Sequence, residues 1–147
     1  MAEQQGYDFT LLWEVERINQ ERIGRFLAKA RQLLGGFEGR TVTLFGLSFK
    51  PNTDDIRFAP ALEVLERLER EQARVRAYDP EAMEKVRPLY PKITYCRDAY
   101  EAARGAECLL VVTEWKQFQD LEWVRMRQAM ARPLLVDGRN CLDPLIL

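Results

Sequence analysis

Thr41-Val42-Thr43-Leu44-Phe45-Gly46-Leu47-Ser48-Phe49-Lys50-Pro51-Asn52-Thr53-Asp54-Asp55-Ile56-Arg57 carries a short apolar run into a polar connection that holds two cations. Thr41 to Phe45 is β-branched and alternating enough for a buried strand. Ala61 to Leu68 repeats its apolar residues at helical spacing, with Pro60 placed where a first helical turn tolerates it. Lys50 and Arg57 therefore flank a helix start. The positive end of a helix dipole disfavours cations, so their presence there points to a balancing anion such as a phosphate.

Working outward, the pattern after Gly39 alternates strand and helix. Arg74 to Tyr78 reads as a strand, Glu81 to Val86 as a helix and Ile93 to Tyr95 as a short strand. Asp98 to Arg104 reads as a helix opened by an Asp98/Glu101 capping box; Cys108 to Val112, Leu121 to Ala131 and Leu134 to Val136 follow as strand, helix and strand. Such alternation predicts a Rossmann-like, doubly wound α/β fold with a parallel sheet of five main strands, covered on both faces. Right-handed crossovers give the order 3-2-1-4-5. The crevice then lies beyond the carboxyl ends of strands one and four, where the winding reverses. On the amino-terminal side, Leu11, Leu12, Val15, Ile18, Ile23, Phe26, Leu27, Ala30, Leu33 and Leu34 recur every three or four positions up to a Gly35-Gly36 stop. One helix of about 35 to 40 Å is expected, longer than so small a domain needs for its own packing. It divides the chain into a helical segment at 1–36 and a sheet domain at 37–147. The helix is either a core helix or a spine shared with a second copy.

The 147 residues suffice for one domain with a real core. With 22 Lys and Arg against 23 Asp and Glu, the formal charge of -1 provides no general field for nucleic acid or an anionic membrane, so anion binding must be local. The absence of histidine removes the commonest general base and metal ligand, and no metal site is expected. Cys96, Cys108 and Cys141 are odd in number and not closely spaced, as expected of reduced thiols in a cytoplasmic protein. The polar start and the lack of a long apolar run lead to the same expectation.

Gly46 stands alone where a dinucleotide fold shows Gly-x-Gly-x-x-Gly. Asp79 sits where a ribose-binding acid would be, but Pro80 beside it favours a turn former, and no ligand is assigned to it. Lys50 offers three donors to a diphosphate or sugar hydroxyl, with Phe49 beside it, or is a solvated loop lysine. Arg57 meets a ligand or pairs with Asp54 or Asp55. Arg139 follows a strand into a Gly turn, where its fork can hold two oxygens and Asp137 stands as its structural partner. Thr113, Glu114 and Trp115 lie on the same edge as wall and hydrogen-bond support. Asn19, Arg22, Trp13 and Trp123 read as structural.

Gly46 to Arg57, Tyr78-Asp79-Pro80, Val112-Thr113-Glu114-Trp115 and Asp137-Gly138-Arg139-Asn140 together resemble the carboxyl-terminal domain of the UDP-glucose/GDP-mannose dehydrogenases, over about Leu11 to Pro144. The wording of the first and last motifs looks most like the UDP-glucose 6-dehydrogenase branch. The resemblance implies that Phe49, Lys50 and Arg139 hold a UDP-sugar, and that Arg57 contacts an NAD bound mainly by a domain outside this chain. It implies a homodimer through the long helix. It also implies oxidation of the sugar C6 alcohol to a carboxylate through a thiohemiacetal and a thioester on a catalytic cysteine. That cysteine belongs to a Gly-rich Cys-Phe-Pro-Lys-Asp segment ahead of the long helix, and none of the three cysteines here lies in such a motif. The chain is then expected to be a piece of a dehydrogenase, inactive alone, with no catalytic residue of its own. The other readings are a freestanding UDP-sugar-binding module, an oligomerisation module, or the matching domain of a UDP-N-acetylmannosamine or GDP-mannose dehydrogenase.

Overall fold

The computed structural model describes residues 7–143, and side chains from Glu21 onward. Helix α1 (Tyr7–Leu34) is followed by β1 (Thr41–Phe45), α2 (Pro60–Arg70), β2 (Arg74–Tyr78), α3 (Met83–Val86) and β3 (Thr94–Tyr95). The chain continues with α4 (Ala99–Ala103), β4 (Cys108–Val111), α5 (Lys116–Gln119), α6 (Trp123–Ala129) and β5 (Leu135–Asp137). The sheet is parallel throughout, in the order β3-β2-β1-β4-β5. This is the doubly wound order expected from the alternation, with β1 and β4 adjacent at the point where the winding reverses.

Because successive strand residues face opposite ways, each central strand feeds two cores. Val42 and Leu44, Val75 and Ala77, and Cys108 and Leu110 turn toward α1 and α2, where they meet Leu27, Ala30, Leu34, Ala61, Val64, Leu65 and Leu68. Phe45, Tyr78, Leu109 and Val111 turn toward α4, α5 and α6, where they meet Ala99, Ala102, Ala103, Phe118, Trp123 and Met126. The small alanines of α4 let that helix approach closely enough for the buried Thr43 hydroxyl to donate to the Ala102 carbonyl at 2.6 Å. Polar Thr43 thereby loses little by facing the core. Trp123 is a packing anchor, as expected, and its indole donates to the Phe118 carbonyl.

Helix α1 stops where anticipated. Gly35 adopts φ +80°, and the amides of Gly35 and Gly36 both donate to the Arg31 carbonyl. Its last turns pack on the sheet through Leu27, Ala30 and Leu34, and Arg31 pairs with Glu71 at the end of α2. Arg22 is exposed, while Trp13 and Asn19 lie outside the described side chains.

Two local readings are refined and one helix is added. Capping of α4 is half the expected box: Asp98 Oδ1 accepts from the Glu101 amide at 2.7 Å, but Glu101 reaches back to the amide of Arg97 rather than of Asp98. The helix expected over Leu121 to Ala131 is shorter, at Trp123–Ala129, and α5 precedes it without any sequence period to announce it. Four residues are too few to display one. No described helix is long and apolar enough to cross a membrane.

Candidate functional site at the carboxyl edge of the sheet

At the ends of β1, β4 and β5 the motifs singled out in the sequence come together, joined by specific hydrogen bonds. Gly46, at φ +97°, passes so close to β4 that a Cβ would lie 2.5 Å from the Thr113 Cβ and 2.6 Å from its backbone nitrogen. Only glycine fits there. This close approach lets the Thr113 hydroxyl donate to the Ser48 carbonyl at 2.8 Å.

Asp79 ties the edge together. Its Oδ2 accepts from the amides of Leu47 (2.7 Å) and Ser48 (3.1 Å) and from the Trp115 indole (3.2 Å). Its Oδ1 accepts from the amides of Glu81 and Ala82, both at 2.8 Å. The side chain thus closes the turn after β2 and also fastens the loops after β1 and β4. It is wholly buried, with no lone pair left for a ligand. Its reach is far greater than that of the turn former expected from the sequence.

The loop between β1 and α2 is closed on itself. Phe49 donates its amide to the Asp55 carbonyl at 2.8 Å, the Ser48 hydroxyl donates to the Lys50 carbonyl, and Asp55 receives both Nε (3.0 Å) and Nη2 (2.9 Å) of Arg57. Arg57 lowers the Asp55 carboxyl pKa to about 2 through these hydrogen bonds. Asp54 pairs instead with Lys85 from α3. Phe49 is half exposed at 49%, and Lys50 is exposed with no ammonium partner among the described residues. The loop also holds Phe58 in left-handed backbone (φ +60°) at 92% exposure, which the sequence did not single out.

After β5, Gly138 donates its amide to the Val111 carbonyl, and Asp137 accepts the amides of Arg139, Cys141 and Leu142. Asp137 therefore serves the backbone of this turn. The guanidinium of Arg139 goes elsewhere: its Nε donates to Glu114 Oε2 at 2.5 Å, linking the β5 and β4 loops. Trp115 and Thr113 act as the support anticipated for them. Glu114 does more than line the wall.

A family model described as the UDP-glucose/GDP-mannose dehydrogenase family, UDP binding domain, matches residues 43–144. The chain belongs to this family. Its matched span includes Phe49, Lys50, Arg57, Asp79, Glu114 and Arg139. A UDP-glucose 6-dehydrogenase of Pseudomonas aeruginosa is 45% identical over 150 residues, covering 97% of this chain and 33% of that protein. The UDP-glucose 6-dehydrogenase YwqF of Bacillus subtilis is 38% identical over 92% of this chain and 31% of its own length. The structure of a UDP-glucose dehydrogenase from Pyrobaculum islandicum superposes with a TM-score of 0.81 at 34% identity, over 95% of this chain and 31% of that one. A GDP-mannose dehydrogenase from Pseudomonas aeruginosa, at 22% identity and TM-score 0.73, shares the fold. The chain spans about a third of the length of these family relatives.

The family's implied NAD does not fit the sheet itself. The β1–α2 connection, from Gly46 to Ala59, has no Gly-x-Gly-x-x-Gly turn, and the acid at the end of β2 is buried under five N–H donors. Among the described residues no group of three His, Cys, Asp or Glu side chains is placed to hold a metal.

Proposed function

We propose that this chain is the carboxyl-terminal, UDP-sugar-binding portion of a UDP-glucose 6-dehydrogenase. In this reading Phe49, Lys50 and Arg139 hold the UDP-sugar at the carboxyl edge of the sheet. The observation that carries it is the convergence of the Gly46–Arg57 and Asp137–Asn140 motifs on one edge, in a chain 45% identical to a UDP-glucose 6-dehydrogenase over nearly its whole length.

The chemistry of the edge suits that ligand. Lys50 is a point charge with three donors and no protein partner among the described residues. Arg139 has Nε engaged, with no partner for either Nη among the described residues, so its end-on pair of nitrogens can take two oxygens. Phe49 places a half-exposed ring beside them. The whole enzyme would oxidise UDP-glucose to UDP-glucuronate, with NAD accepting hydride in two steps. NAD would be held mainly by polypeptide outside this chain, and Arg57 would contact it from the exposed face of its loop.

A catalytic thiol among the three cysteines would need to ionise near neutral pH. Burial pushes Cys108 up to about 12, and burial with the Asp137 charge pushes Cys141 up to about 11. Burial also raises Cys96. These shifts support placing the reactive cysteine elsewhere in the whole enzyme.

Calorimetric titration with UDP, UDP-glucose and NAD tests this reading. Binding of UDP and UDP-glucose without NAD is expected. Lys50→Ala and Arg139→Ala are each expected to weaken UDP-glucose binding by about 1.5 to 3 kcal/mol, the range for a lost charge-assisted contact. Unchanged affinity in both variants would overturn the site assignment.

A further inference from the structure

We infer that Glu114 is a positioning residue that aims Arg139 at the nucleotide-sugar diphosphate, an inference that rests on the site proposed above. The base of Arg139 is fixed by its backbone. Gly138 is held on β4 by the Val111 carbonyl, where a Cβ would already press on Phe26 and that carbonyl at 3.0 Å, and Asp137 accepts the Arg139 amide at 3.0 Å. None of this constrains the long side chain beyond its Cβ. Among the described residues the one contact that does is Nε to Glu114 Oε2, at 2.5 Å.

Glu114 is itself well anchored. On one side Thr113 donates its hydroxyl to Ser48, and on the other the Trp115 indole donates to Asp79 while the Trp115 amide donates to the Thr113 carbonyl. The same carboxylate that orients the β1 loop carrying Lys50 therefore also steadies the residue that holds Arg139. Engaging Nε leaves the two Nη nitrogens as the open fork, and both partners of the pair remain about a third exposed.

A carboxylate beside an anion subsite has two possible consequences of opposite sign. If Glu114 competes with the ligand for Arg139, removing it strengthens binding. If it orients the guanidinium, removing it weakens binding although a negative charge has been taken away. The short, charge-assisted Nε contact, which leaves the Nη fork open, points to the second.

The experiment titrates the chain with UDP as the parent and as Glu114→Ala, Glu114→Gln, Arg139→Ala and Glu114→Ala/Arg139→Ala, with thermal unfolding of each to confirm folding. Glu114→Ala is expected to bind UDP roughly 10-fold more weakly. Glu114→Gln, which keeps an acceptor for Nε, is expected to stay within about threefold of the parent. The double variant is expected to be no weaker than Arg139→Ala alone, as for residues acting through one contact. Parent-like or tighter binding by Glu114→Ala, or losses that add in the double variant, would overturn the inference while the site stands. Failure of the parent to bind UDP would overturn the site reading and this inference with it, and parent-like binding by Arg139→Ala would remove Arg139 from the site and overturn this inference.

Discussion

Both oxygens of Asp79 are occupied by donors from three separate segments, so one side chain sets the relative positions of the loops after β1, β2 and β4. Asp79→Ala would leave several buried donors without an acceptor, each costing about 1 to 3 kcal/mol. A loss of at least about 3 kcal/mol in chemical denaturation is expected, and a loss below about 1 kcal/mol would contradict this role. Gly46→Ala combines a positive φ with a Cβ placed 2.6 Å from the backbone nitrogen of Thr113. It should destabilise by more than the roughly 1 to 2 kcal/mol of the left-handed conformation alone. Trimming Thr113 to Ala should not restore stability, because the backbone atom remains. Asp55 titrates at about 2 instead of 3.8, chiefly because Arg57 donates to it. A lowered carboxyl pKa stabilises the fold above the unfolded value, and that contribution is lost as pH falls through the folded value. The Asp55–Arg57 contact should therefore survive at pH 3.5 and break near pH 2, as followed by NMR of the Asp55 carboxyl carbon. A midpoint near 3.8 would show that the contact does not form in solution.

The elements were largely legible in the sequence because each long one carries its own period. The apolar stripe of Phe26, Leu27, Ala30 and Leu34 marks α1, and β-branched or apolar runs mark β1, β2 and β4. Crossover handedness then left few strand orders. Short elements escaped: α5 has no room for a period, and the Glu101 half of the α4 cap went to a neighbouring amide. The site was legible as a set of motifs on one edge, since the loops that follow β1, β4 and β5 must emerge on the same side of a parallel sheet. Its wiring was not. Asp79 meets Ser48 and Trp115 across more than 30 residues of chain, and Arg139 meets Glu114 across 25, distances over which spacing carries no information. At this scale α1 carries a prediction of its own. Its 28 residues span about 42 Å, longer than so small a domain needs for its own packing. We propose that part of its apolar face joins a second copy of the chain. Sedimentation at high concentration should then give a dimer, and a strictly monomeric profile would count against it.

For the molecule as a whole, parallel topology places the loops after β1, β4 and β5 and the proposed ligand cations at one end. The opposite end is occupied by internal pairs such as Arg40 with Glu107 and Arg74 with the Gly39 carbonyl. This polarity separates scaffold from site: the two cores on the faces of the sheet fix the strands, and the buried Asp79 network transfers that rigidity to the loops. The most direct test is an NMR map of backbone amide shifts on titration with UDP. The account predicts changes clustered at Gly46 to Lys50, Thr113 to Trp115 and Gly138 to Arg139, with the opposite edge at Gly39, Gln72 and Ala106 unmoved. Changes centred on that opposite edge, with the carboxyl edge silent, would contradict it.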